Sequence, residues 1–109
     1  MNMKTRVSTI EQFENIKVST SEFLVIKHSL TCPVSTAAFD EYEKFVNDHA
    51  DVPTFYLYVQ EERDLSNYIA EKHEIKHESP QALFFKNGEV VWNASHWKIT
   101  NRSLTEAIR

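Results

Sequence analysis

Two uninterrupted apolar runs, Phe23-Leu24-Val25-Ile26 and Phe55-Tyr56-Leu57-Tyr58-Val59, bracket a segment in which Val34, Ala38, Tyr42, Phe45 and Val46 recur at helical spacing. Short runs of β-forming residues without alternation suit strands covered on both faces. Strand, helix and strand in that order make a βαβ unit, for which parallel pairing through a right-handed crossover is the default. The chain is thereby placed in the α/β class.

The flanking segments extend the pattern. Ser8 or Thr9 caps a helix read from about Ile10 to Ile16, with Gln12 at the capping-box position and Ile10, Phe13 and Ile16 on one face. Asp64 opens another, with Leu65, Tyr68 and Ile69 inward, which fades around His73 to Ile75 because Pro80 approaches. Ala82-Leu83-Phe84-Phe85 and Val90-Val91-Trp92 flank Asn87-Gly88, the preferred pair for a type I′ hairpin. Thr100 or Asn101 caps a closing helix that turns Leu104, Ala107 and Ile108 to the sheet. The order α, β-α-β, α, β-β, α predicts a central four-stranded mixed sheet flanked by helices. With 109 residues, one domain over 1–109 is expected.

The formal charge is −4, and the twelve Lys and Arg are scattered from Lys4 to Arg109 without forming a block. A phosphate backbone has no electrostatic footprint to meet, so nucleic acid is not an expected partner. Met1 to Thr9 lacks an apolar segment of the signal-peptide kind, and no run approaches the ~20 apolar residues of a membrane span. A lone cysteine cannot close an internal disulfide, which favours a cytoplasmic protein with Cys32 as a free thiol.

Cys32 falls between the first apolar run and the helical segment. Pro33 fits the first helical position, leaving Cys32 as the N-cap. Thiolate is the nucleophile of disulfide exchange, and the unpaired N–H groups and positive dipole end of a helix stabilise it. The placement predicts a thiol more acidic than a free cysteine; the alternative is a buried structural cysteine. Lys27 and His28 are candidate basic neighbours, and strand alternation leaves open which of them faces the sulfur.

His73-Glu74-Ile75-Lys76-His77 matches the H-E-x-x-H zinc pattern, which needs a continuous helix through both histidines. Pro80 lies three residues beyond His77 and no third ligand is evident, so no metal site is expected. Glu61-Glu62-Arg63-Asp64 reads as a solvated loop and helix start without a function.

Thr31-Cys32-Pro33-Val34-Ser35, taken with Ser79-Pro80-Gln81-Ala82 and Ala94-Ser95-His96-Trp97, resembles the monothiol bacilliredoxins, the YtxJ family of bacillithiol-using Gram-positive bacteria. The element order resembles the thioredoxin superfamily over nearly the full length. The resemblance implies a thioredoxin-like fold and removal of bacillithiol from S-bacillithiolated proteins through a Cys32 mixed disulfide. It implies bacillithiol as thiol co-substrate, no bound cofactor, and an active-site motif of Thr31, Pro33, Val34 and Ser35 around the cysteine. Pro80 is then expected in cis, opposite Cys32, with Ser79 offering backbone hydrogen bonds to an extended substrate. Ser35 stands where a dithiol enzyme has its second cysteine, so the mechanism is monothiol; its side chain either meets the thiolate or faces solvent. His96, Trp97 and Lys98 either line the cleft, or Trp97 closes the core edge while His96 and Lys98 lie in solvent. His28 and Trp97 are thus candidate substrate contacts, and a monomer is expected. Two other readings compete: a non-catalytic thioredoxin-like binding module, and an iron–sulfur carrier, against which Pro33 counts.

Overall fold

Parallel pairing of the two apolar runs is the centre of the computed structural model, which describes residues 4–108. Residues 1–3 and 109, the ends of the expected 1–109 domain, lie outside the described residues. The elements are β1 (Lys4–Arg6), α1 (Ile10–Ser19), β2 (Glu22–His28), α2 (Pro33–Asp48), β3 (Thr54–Tyr58), α3 (Arg63–Lys72), β4 (Gln81–Lys86), β5 (Glu89–Ser95) and α4 (Asn101–Ala107). A single 3-10 turn, His96–Lys98, joins β5 to α4.

The sheet runs β1-β3-β2-β4-β5. Strands β1 and β2 flank β3 in parallel, with Leu24 opposite Thr54 and His28 opposite Tyr58. Strand β4 is antiparallel to β2, and β5 to β4. The sheet therefore has five strands rather than the four expected. The addition is β1, three polar residues that carry no alternation and are a strand only because β3 offers them an edge at Thr54, Phe55 and Tyr56.

Strand β2 explains its own unbroken hydrophobicity. Leu24 and Ile26 pack with Ala38, Tyr42, Phe45 and Val46 of α2 and Leu104 of α4. Phe23 and Val25 face Phe13 of α1 and Leu65 and Ile69 of α3. Each face of the strand meets a helical layer, which leaves Phe23 to Ile26 enclosed, and the next residue along, Lys27, is buried as well.

Caps and turns fall close to the sequence reading. Thr9 caps α1 by accepting the Gln12 N–H at 3.1 Å, and the helix runs to Ser19, three residues beyond its expected end. Helix α3 begins one residue before Asp64, with Glu62 as N-cap. Thr100 and Ser103 form a reciprocal capping box on α4. Asn87 and Gly88 sit at φ +53° and +83°, as a type I′ turn requires. The β4–β5 register shifts between Phe84 and Phe85, so Val91 is the extra residue of a bulge. The bulge lets Val90 join the core of α1 and α3, while Trp92 and Ala94 pack on that of α2 and α4.

Candidate functional site

Four segments meet at one end of the sheet: the turn after β2, the turn after β3, the approach to β4 and the exit from β5. Strand pairing puts them there. Lys27 lies opposite Gln81, and Gln81 opposite Ser95, so the C-terminal end of β2 adjoins Pro80 and the His96–Lys98 turn. The His96 N–H donates to the Pro80 carbonyl at 3.0 Å, tying the last two together. This is the edge outside the carboxyl ends of the parallel strands, where open α/β sheets bind ligands.

Cys32 is the N-cap of α2, with extended backbone and a free, half-buried thiol. Its carbonyl accepts the Ser35 and Thr36 N–H groups at 3.0 and 3.3 Å, while its side chain makes no capping bond. Pro33 at the first helical position has no N–H to leave unpaired, and the first turn holds no acidic residue. Cys32 therefore sits at the positive end of a sixteen-residue helix without a neighbouring carboxylate on that turn.

The other motif residues take distinct places. Thr31 and Pro33 are exposed and Val34 is half-buried. Ser35 is fully buried, which excludes the solvent-facing alternative; its Oγ accepts the backbone N–H of buried Ser29 at 3.2 Å. The serine thus closes the turn that leads to Cys32. Pro80 is buried and its bond to half-buried Ser79 is cis.

The two basic candidates point to opposite faces. Lys27 goes to the α3 side, where its fully buried Nζ donates to the Ser66 carbonyl at 2.9 Å and to His77 Nδ1 at 3.2 Å. Burial lowers its ammonium to about 8. His28 lies on the α2 side, its ring 4.7 Å from that of Phe39 and 5.6 Å from that of Tyr58. Burial also lowers the His28 imidazole, partly offset by the Ser35 backbone, and its Nδ1 has no hydrogen-bond partner among the described residues. His28, not Lys27, is the basic residue on the face of the Cys32 helix.

Trp97 does not close the core edge: it is 70% exposed, between exposed His96 and Lys98, and the core position is taken by Ile99. His96 adopts φ +57°, which turns the chain so that Trp97 projects outward. Leu30, half exposed, is the other large apolar side chain uncovered in these segments.

The zinc-like motif is not a helix. Helix α3 ends at Lys72, His73 is its C-cap, and Glu74 takes φ +54°. His73 Nε2 lies 3.2 Å from Lys17 Nζ, whereas His77 turns to Lys27 and Ser66. Among the described residues no three ligand-type side chains gather as a metal would require.

Residues 5–104 match the profile of the monothiol bacilliredoxin family BrxC. The chain belongs to that family. A solved thioredoxin-fold protein, provisionally described as an oxidoreductase, shares 47% identity with this bacilliredoxin family member. The two overlay with a TM-score of 0.92 over 98% of this chain and 95% of the other. Mitochondrial thioredoxin 3 from Saccharomyces cerevisiae superposes at 0.77 with 17% identity, covering 95% of this chain and 92% of its own. Spinach chloroplast thioredoxin f reaches 0.75 with 21% identity, covering 98% and 91%. These last two show the thioredoxin fold. Family and fold together place this bacilliredoxin among the thiol oxidoreductases. No helix of the described residues is long and apolar enough to cross a membrane.

Two features escaped the sequence reading. The charge run is no mere solvated loop: Arg6 bonds Glu61 and Glu62 at 2.6 Å each, and Glu62 is only 5% exposed. Gln60, just before it, bonds to the cysteine turn; an isolated glutamine in a polar loop carries no local signal of that.

Proposed function

We propose that this chain removes bacillithiol from S-bacillithiolated proteins by monothiol exchange through Cys32. The observation that carries the reading is a half-buried free thiol on the N-cap residue of α2, in a chain with no second cysteine and with a buried serine one turn later.

In the first step the Cys32 thiolate attacks the bacillithiol sulfur of the mixed disulfide. The Cys32–bacillithiol bond forms, the protein–bacillithiol bond breaks, and the protein sulfur leaves with the electron pair and takes a proton. The helix N-terminus favours the attacking thiolate, and Pro33 holds the turn rigid. In the second step a free bacillithiol thiolate attacks the captured bacillithiol sulfur, releasing bacillithiol disulfide and restoring the Cys32 thiolate. The protein holds no bound cofactor in this scheme; bacillithiol is a co-substrate.

The other motif residues serve this chemistry by position. Thr31, Pro33, Val34 and Ser35 shape the cysteine turn. The backbone of Ser79 beside Pro80 offers polar groups to an extended substrate, and exposed Trp97 gives an apolar surface at the same edge. His28 supports the α2 side from beneath.

The test is release of bacillithiol from an S-bacillithiolated protein, followed by mass spectrometry with free bacillithiol present. Wild type is expected to release it and Cys32→Ser to leave it in place. Equal release by both proteins would remove Cys32 from the mechanism, and no release by either would favour a non-catalytic binding module.

A further inference from the structure

One side chain outside the motif grips the cysteine turn at three successive residues. The Gln60 Oε1 accepts the Leu30 N–H at 3.1 Å, and its Nε2 donates to Ser29 Oγ at 2.9 Å and to Thr31 Oγ1 at 3.3 Å. The Leu30 amide can only donate, so the oxygen of the Gln60 amide must face it, and the nitrogen then falls toward the two hydroxyls. Donors and acceptors match at all three contacts. The Ser29 N–H, in turn, is held by Ser35 from inside the fold. The residues immediately before Cys32 are thus pinned from two sides: Ser35 within, Gln60 without.

Gln60 is itself anchored. It lies in a turn closed by the Glu61 and Glu62 N–H groups on the Tyr58 carbonyl, at 3.0 and 2.8 Å. The two following carboxylates are gripped by Arg6 of β1, whose guanidinium also lies 4.5 Å from the Tyr58 ring centre. The strand that the sequence did not reveal therefore braces the loop that braces the cysteine.

We propose that Gln60 is a positioning residue for Cys32, fixing residues 29–31 so that the sulfur stays at the helix N-terminus in the pose that favours thiolate attack. The proposal rests on Cys32 being the reactive thiol, as in the exchange mechanism above, and it names the residue outside the motif that controls that reactivity. Without the three bonds the turn samples other poses, and Cys32 is held less firmly at the helix N-terminus.

The experiment uses alkylation by iodoacetamide, which reports on Cys32 alone because the chain has one cysteine. It needs no bacillithiol, so a failed exchange reaction in the wild type leaves this test intact. Rates are measured at neutral pH and on the alkaline plateau for wild type, Gln60→Ala and Gln60→Glu, with thermal unfolding alongside. Gln60→Ala should alkylate about fivefold to tenfold more slowly at neutral pH, with the plateau rate nearly unchanged. Gln60→Glu keeps the acceptor for Leu30 but replaces both donor contacts with a negative charge, and should be slower still at low salt, recovering toward Gln60→Ala at high salt. A merely structural role would lower both rates in proportion or lower only the unfolding temperature. Either of those results, or neutral rates within twofold of wild type in both variants, would overturn the proposal.

Discussion

Ser35 and Lys27 show how much a single buried polar atom decides here. The Ser35 hydroxyl is the acceptor for the buried Ser29 N–H, so Ser35→Ala strands that donor and should cost about 1–2 kcal/mol, lowering the unfolding temperature by several degrees in calorimetry. Lys27 is a cation with no carboxylate among its hydrogen-bond partners, a backbone carbonyl and a histidine. The ammonium is the donor to His77 Nδ1, so that imidazole must accept; burial, and then the Lys27 charge, hold His77 toward its neutral form. Burial lowers Lys27 from 10.5 to about 8, so below pH 8 the folded protein bears the whole cost of the enclosed charge. Between pH 8 and 10.5 the unfolded chain still holds a proton that the folded one has released, so the contribution of Lys27 to stability rises with pH. Denaturant titrations of wild type and Lys27→Met across that window should show wild type gaining on the variant by at most about 3 kcal/mol. A constant difference would mean that Lys27 does not change protonation there. The sequence disclosed neither role: Ser35 read equally as a solvent-facing residue, and strand alternation alone did not say which face held Lys27.

At the scale of elements, the helices and the central strands were legible because each has a local signature: periodicity for α2, unbroken apolar runs for β2 and β3, Asn87-Gly88 for the hairpin. Strand β1 was not, because its pairing with Thr54 to Tyr56 is set by residues fifty positions away and its own side chains carry no pattern. The turn of His96–Lys98 was not, because a histidine at positive φ has no sequence cue, and the sequence therefore left open whether Trp97 closes the core edge or lines the cleft, when it is on the surface. Two predictions belong here. Removing the α4 cap with Thr100→Ala should cost about 1 kcal/mol, read from the denaturant midpoint. Arg6→Met should lower the unfolding temperature because it leaves the buried Glu62 carboxylate without its cation, and adding Glu62→Gln should restore part of the loss. Additive losses in that cycle would mean that the pair does not couple β1 to the turn after β3.

For the molecule as a whole, the sheet topology brings the cysteine turn, the loop after β3, the Ser79-Pro80 segment and the Trp97 turn to one edge. The sequence named three of these four segments through short motifs, and it missed the loop of Gln60 because that loop acts only through contacts distant in sequence. One reactive sulfur at that edge, and none elsewhere in the chain, is the central claim. The most direct measurement is intact-protein mass spectrometry after brief incubation with bacillithiol disulfide, with glutathione disulfide and Cys32→Ala in parallel. The account predicts a single bacillithiol adduct on wild type, formed faster than the glutathione adduct and absent from Cys32→Ala. Wild type that stays unmodified, or takes up glutathione at least as fast, would contradict it.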